Sequence, residues 1–278
     1  MKYIFSDLDG TLLKTDTTVS EENLSAIERL YKNGVKVVIS TGRTYTEIPP
    51  ELRNNPHIEF FICSNGAMIY TRDKGLAYSS TMSPSQTREI FDLLNGYDTF
   101  IELYTSGRPV VDRDKYNEDG FKYYNVDADF LPEMRRSRVP ISYFNENFQY
   151  VAKGLEMFDV FFRHMDERLD CMKKLDELFP FAEYTSSLKY NLEILKRGVN
   201  KGYGIRSFCR LMHININEVY AIGDSLNDVT AFQAAGHCLA MRNATDELKK
   251  ISDGVICSND EHVMVYLDKY FKESEIKS

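Results

Sequence analysis

Residues 3–11 read Tyr-Ile-Phe-Ser-Asp-Leu-Asp-Gly-Thr. An apolar run that suits a buried parallel strand ends in two carboxylates, Asp7 and Asp9, with Gly10 directly behind them. Side chains two apart on a strand share a face, so both acids can address one spot. In an open α/β sheet that spot is the crevice at the carboxyl ends of the strands. Two acids there repel unless a cation or a shared proton lies between them, which points to Mg2+. One of the two would also be free to attack phosphorus.

Three more polar clusters stand at or near expected strand ends. Ser40-Thr41-Gly42-Arg43 follows a β-branched run at 35–39, Lys201 opens a helix, and Gly223-Asp224-Ser225-Leu226-Asn227-Asp228 follows a run at 219–222. Taken singly, each has a plain structural reading: a turn, an N-cap loop, a solvated lysine, an arginine bracing a loop. A doubly wound sheet, however, gathers such strand ends into one crevice. Together they suit phosphoryl transfer, which needs an in-line nucleophile, a divalent cation and donors around the equatorial oxygens. Asp7 is the candidate nucleophile, and Asp9 can give and take a proton. Thr41 and the Gly42 backbone offer O–H and N–H donors. Lys201 is a point charge for a phosphate oxygen, and Asp224 a hard oxygen for Mg2+.

The elements that must position these groups alternate strand and helix. Ser20 can cap a helix with Leu24, Ile27, Leu30 and Tyr31 on its apolar face, and Gly34 can end it. Residues 60–63 form a strand that runs into Ser64-Asn65-Gly66. A hairpin is expected at 68–70 and 76–78, and a helix opens at Pro84. From there the texture changes, with Phe121, Tyr123, Tyr124, Phe130, Tyr143, Phe144, Phe148 and Tyr150 crowding the segment. Strand-like runs at 100–104 and 155–162 alternate with helical patterns. The aromatics are expected mainly as core and strand packing. The α/β pattern returns near Tyr190, with a strand at 191–195, a helix carrying Ile205, Phe208, Cys209 and Met212 on one face, and later strands at 219–222, 237–241 and 255–256. The expected architecture is α/β: a doubly wound, Rossmann-like parallel-sheet core (1–83 and 188–278) with an inserted α+β cap domain (84–187).

Bulk properties narrow the class. The chain has 278 residues, 43% of them hydrophobic, and a formal net charge of −8. That balance disfavours a broad nucleic-acid interface and leaves room for a small phosphorylated substrate. No stretch approaches the ~18 apolar residues of a membrane span. No signal-peptide pattern is visible, and the five cysteines are scattered without a CxxC pair, so a cytoplasmic protein with reduced core thiols is expected. There is no Walker A sequence, and no cysteine is followed by arginine six positions later.

The four clusters resemble the motifs of the haloacid dehalogenase superfamily. Asp7-Leu8-Asp9-Gly10-Thr11, Ser40-Thr41-Gly42-Arg43, Lys201 and Gly223-Asp224-Ser225-Leu226-Asn227-Asp228 look like its four motifs, in order. The insert between the second and third motifs is similar to the cap of the Cof-type branch, subfamily IIB. Ser64-Asn65-Gly66-Ala67 also matches that branch. The resemblance implies that Asp7 becomes an aspartyl-phosphate and that Asp9 is the acid/base. It implies Mg2+ held by Asp7, the Asp9 backbone carbonyl and Asp224, with Asp228 behind. The Leu8 backbone N–H, Thr41, Gly42, Lys201 and Asn227 would bind the phosphoryl group, and Arg43, Asn65 and Gly66 would form a substrate loop. The activity so implied is a Mg2+-dependent phosphatase of small phosphorylated metabolites, sugar phosphates first. A phosphomutase using the same aspartyl-phosphate and a non-catalytic Mg2+-binding regulator are the alternatives.

Overall fold

A computed structural model describes residues 1–126, 128, 131–186 and 188–276. Phe130 and Ser187, both invoked above, lie outside the described residues. The strands among them are β1 (Lys2–Ser6), β2 (Val35–Ser40), β3 (Ile58–Cys63), β4 (Met68–Thr71), β5 (Gly75–Ser79), β6 (Thr99–Thr105), β7 (Arg108–Asp112), β8 (Val139–Ile141), β9 (Leu155–Phe162), β10 (Ala182–Thr185), β11 (Asn191–Lys196), β12 (Val219–Gly223), β13 (His237–Ala240) and β14 (Gly254–Val255). They form two sheets, ordered β14-β13-β12-β1-β2-β3-β4-β5 and β10-β11-β9-β6-β7-β8. The chain divides into two compact units, one of residues 1–43, 48–78 and 200–278, the other of 44–47 and 79–199.

In the first unit β1 lies between β12 and β2, parallel to both. β3 joins β2 in the same sense, and β4 turns back antiparallel as the expected hairpin begins. The central strands are buried, Ile4, Val38 and Ile39 completely, as continuous apolar runs in a sheet covered on both faces require. Helix Glu21–Lys32 starts where Ser20 accepts a hydrogen bond from the Asn23 N–H, and Gly34 follows its end at φ +75°. Its buried face is Asn23, Ala26, Ile27 and Leu30, with Leu24 and Tyr31 half-buried. Helix Lys201–Met212 drives Phe208 edge-on against Phe5 and Phe60, at centroid distances of 5.4 and 4.9 Å. Ile205, Phe208 and Cys209 bury as expected, but Met212, in the last turn, is exposed.

The second unit corrects one strand assignment. β11, expected to return the chain to the parallel core, instead pairs antiparallel with β9 and β10. Its alternation of Leu192, Ile194 with Asn191, Glu193 suits a sheet with two different faces. One face carries an apolar cluster that includes Phe91, Leu103, Phe148, Phe158, Val160 and Ile194. On the other, Glu193, Asp159 and Glu102 line up across β11, β9 and β6. Arg138 is buried between Glu102, at 2.7 Å, and Glu47. Phe121, Tyr124, Phe144 and Phe148 are core residues, whereas Tyr123, Tyr143 and Tyr150 are exposed. No helix among the described residues is long and apolar enough to cross a membrane.

Candidate active site

The register of β1 against β12 builds the site. Ser6 sits opposite Ile222, and the Asp7 N–H donates to the Ile222 carbonyl at 3.0 Å. Both strands therefore stop level with each other, and Asp7 meets the turn that bears Asp224 and Asp228. Oxygens of Asp7, Asp224 and Asp228 lie within 4.8 Å of one another. Into this group reaches Lys201 from the first position of its helix. Its Nζ is 2.9 Å from Asp7 Oδ1 and 2.6 Å from Asp228 Oδ1, and it donates to Asn227 Oδ1 at 3.2 Å. Lys201 is 1% exposed, so the reading of a solvated lysine does not apply. Asn200 caps that helix, its side chain accepting from the Tyr203 N–H.

The turn after β12 is tied by its own acid. Asp228 Oδ2 accepts from the backbone N–H groups of Asp224 and Ser225, at 3.0 and 3.1 Å. With Oδ1 on Lys201, both oxygens of Asp228 are engaged, and it fixes Lys201 and Asp224 relative to each other. Asp224 Oδ1 accepts from the Thr11 hydroxyl at 3.0 Å.

After Asp7 the chain makes one wide turn, Leu8–Leu12, closed by the Leu13 N–H on the Leu8 carbonyl at 2.8 Å. Gly10 sits in it at φ +70°, and a Cβ there would lie 2.3 Å from Asp224 Oδ2. Glycine is thus required twice, for the left-handed backbone and for the space Asp224 occupies. Asn243 donates to the Gly10 carbonyl at 2.7 Å.

Charge is out of balance here. Burial first, then repulsion from Asp228, Asp224 and Asp9, holds the Asp7 carboxyl well above the usual carboxylate range, against the pull of Lys201. Burial and Asp228 likewise push Asp224 up to about 7. Burial works against the Lys201 charge, but Asp228 and Asp7 outweigh it and hold the ammonium above its ordinary range. Three carboxylates share one lysine. A compact divalent cation with oxygen ligands fits both the excess charge and the donor set.

The remaining predicted residues fall on the neighbouring strand ends. Thr41 and Gly42 follow β2; Thr41 is 1% exposed, and its Oγ1 accepts from the Arg43 N–H at 3.1 Å. The Asp9 side chain pairs with Arg43, which donates to its two oxygens at 2.8 and 2.6 Å. After β3, Ser64, Asn65 and Gly66 all have positive φ, at 51°, 49° and 96°. Asn65 is buried with its amide beside Gly42, where a Cβ would lie 3.2 Å from Asn65 Oδ1. A Cβ on Gly66 would lie 2.2 Å from the Asn200 carbonyl. The work visible for Asn65 and Gly66 is close packing, which seats this loop against the start of the Lys201 helix. Leu8 is fully buried, so only its backbone can serve a ligand. Thr11 and Asn243 went unassigned in the sequence reading. Thr11 was within reach of it, as a hydroxyl next to Gly10, whereas nothing local marks Asn243.

A family model described as haloacid dehalogenase-like hydrolase matches residues 4–267. The chain is 29% identical to Phosphatase YwpJ of Bacillus subtilis, over 97% of this chain and 99% of that protein. It is 30% identical to the 5-amino-6-(5-phospho-D-ribitylamino)uracil phosphatase YwtE of the same organism, over 96% of each. Among solved structures, the HAD subclass IIB sugar phosphatase BT4131 superposes with a TM-score of 0.80 at 22% identity, covering 98% of this chain and 99% of that one.

Proposed function

The chain belongs to the haloacid dehalogenase-like hydrolases, in their Cof-type branch, and acts on phosphate esters; from that premise we propose that it is a Mg2+-dependent phosphatase of small phosphomonoesters, sugar phosphates foremost, working through an aspartyl-phosphate on Asp7. The observation that carries this reading is the cluster of Asp7, Asp224 and Asp228 around the buried Lys201, which pairs with Asp7 and Asp228 and leaves three carboxylates to one lysine. Relatives named as phosphatases of a phosphoribityl compound and of sugar phosphates support the substrate class.

Mg2+ would be held by Asp7, the Asp9 carbonyl and Asp224, with Asp228 behind them. When bound it would offset carboxylate charge and draw electron density from the phosphoryl oxygens. Lys201 would take up charge on one equatorial oxygen, helped by Thr41, Asn227 and the N–H groups of Leu8 and Gly42. An Asp7 carboxylate oxygen attacks phosphorus, the bond to the ester oxygen breaks, and Asp9 gives that oxygen a proton. Water then attacks the phosphoryl group and its proton passes to Asp9. The Asp7–phosphorus linkage breaks, phosphate leaves, and Asp7 returns as a carboxylate.

Acid-quenched enzyme, taken during turnover of a generic aryl phosphate with Mg2+, tests this reading. A peptide containing Asp7 should carry one phosphoryl group by mass spectrometry, and free phosphate should accumulate. Asp7→Asn should fold, lose the label and fall in rate by roughly 10⁴–10⁶, the scale for loss of a covalent nucleophile. Retention of more than about a tenth of the rate would exclude a covalent route through Asp7.

A further inference from the structure

Arg43 does something that neither the phosphoryl chemistry above nor loop bracing requires. Its Nε donates to Asp9 Oδ2 at 2.8 Å and its Nη2 to Asp9 Oδ1 at 2.6 Å, a two-pronged pairing that fixes a carboxylate in plane as well as in position. The two side chains are unequally held. That of Asp9 is 41% exposed, on a turn whose next residue is a glycine at φ +70°. That of Arg43 is 10% exposed. The Arg43 backbone is pinned on both sides, its N–H on the Thr41 hydroxyl at 3.1 Å and its carbonyl accepting from the Ser64 N–H at 2.9 Å. Whatever the pair adds to stability, two in-plane bonds from a nearly buried guanidinium to a more exposed carboxylate fix how that carboxylate is turned.

We propose that Arg43 is the positioning residue for Asp9. It aims the carboxyl from the loop that also carries Thr41 and Gly42: two bonds hold it as a carboxylate ready to take the proton of water, and one remains when the other oxygen carries the proton for the ester oxygen. The proposal rests on the reading of Asp9 as the acid/base. Orientation is the property at stake, because a carboxyl free to rotate on an exposed turn spends most of its time unable to serve the ester oxygen. Lysine could supply the charge but not the two parallel bonds.

The test is a double-mutant cycle in the full chain with Mg2+, read on a sugar phosphate and on an activated aryl phosphate. Arg43→Ala should lower kcat on the sugar phosphate by roughly 10–10², within the range of lost acid–base help, and much less on the aryl ester, whose leaving group needs no proton. KM should stay nearly constant, and the melt should move by only about a few degrees. In an Asp9→Asn background, removing Arg43 should cost less than about twofold, because its target is gone. Arg43→Lys should recover part of the loss and guards against a poorly folded alanine variant. Independent, multiplying losses in the double variant would overturn the proposal. So would a loss carried by KM, which would mark Arg43 as a direct substrate contact, or an Arg43→Lys enzyme with wild-type kcat on the sugar phosphate. Asp9→Asn damaging both esters equally would refute the acid/base assignment of Asp9, while additivity alone decides whether Arg43 acts through it.

Discussion

Lys201→Met is the most informative single change, because methionine keeps the unbranched stem and deletes only the charge. Lys201 is 1% exposed and lies 2.9 Å from Asp7 and 2.6 Å from Asp228. Removing it leaves two buried carboxylates, with Asp224 close by, and no counter-ion. Breaking a buried pair from one side costs about 3–5 kcal/mol, which at about 2–4 °C per kcal/mol is a loss of about 6–20 °C in Tm. The loss should depend on pH. Asp7 and Asp224 are already held above the ordinary carboxylate range in the folded protein, Asp224 at about 7. A carboxyl raised on folding costs nothing below its unfolded pKa, where both states are protonated. Its penalty grows as pH rises through the folded value. Without Lys201 both folded values climb further, so the gap between variant and wild type should be small near pH 4.5 and widest at pH 7.5. Melts followed by circular dichroism at both pH values, in EDTA, give the measurement. Adding Mg2+ at pH 7.5 should restore part of the gap by supplying the missing charge. A variant melting within about 2 °C of wild type at pH 7.5 would show that the acids are not held by Lys201, and a gap that widens toward acid pH would reverse the assignment of charge.

Two other substitutions probe the two units separately. Gly10→Ala places a Cβ 2.3 Å from Asp224 Oδ2 at a φ of +70°. It should cost roughly 1 kcal/mol in stability and, by displacing Asp224, roughly 10² in kcat with a higher Mg2+ requirement, measured by phosphate release; near-wild-type kcat would mean that Asp224 is not held against this turn. Asp159→Asn acts in the second sheet, where burial first, then Glu193 and Glu102, hold the Asp159 carboxyl well above its usual range. A carboxyl raised on folding costs stability as pH rises above its unfolded value, so the asparagine should raise Tm at pH 7.5 and change little near pH 4; a lower Tm at pH 7.5 would show that the ionised carboxylate is needed.

Much of the site was legible because its parts are short and local. An apolar run followed by Asp7-Leu8-Asp9-Gly10 announces a strand end carrying acids, and the same logic marks Thr41-Gly42 and Asp224. What the sequence could not give was partnership. Nothing near Asp9 says that its carboxylate pairs with Arg43, 34 positions away. Nothing near Asp228 says that its oxygens are divided between Lys201 and two backbone amides. The loop 64–66 was legible as a turn, but its packing against Asn200 depends on where a distant helix begins. β11 went to the wrong sheet for a related reason. Its apolar–polar alternation suits any sheet with two unlike faces, and pairing partners leave no trace in a strand's own residues.

Both units bury more acid than base, and they accommodate it differently. In the second, Arg138 is shared between Glu47 and Glu102, while Asp159, next in the row, accepts from the Asn191 amide at 3.0 Å. Holding Asp159 above the usual range lets that row keep a proton to higher pH than an ordinary carboxyl would, which lowers its charge. In the first unit protonation would defeat the proposed chemistry, since a protonated Asp7 could not attack phosphorus. The imbalance there has to be relieved by something that leaves Asp7 ionised. Lys201 does part of this, and a divalent cation is the remaining means that also serves the reaction. On the proposed function, the surplus carboxylate is a cost in the bare protein and would be the source of its cation affinity. By that linkage a bound cation would stabilise a fold that keeps Asp7, Asp224 and Asp228 within 4.8 Å of one another.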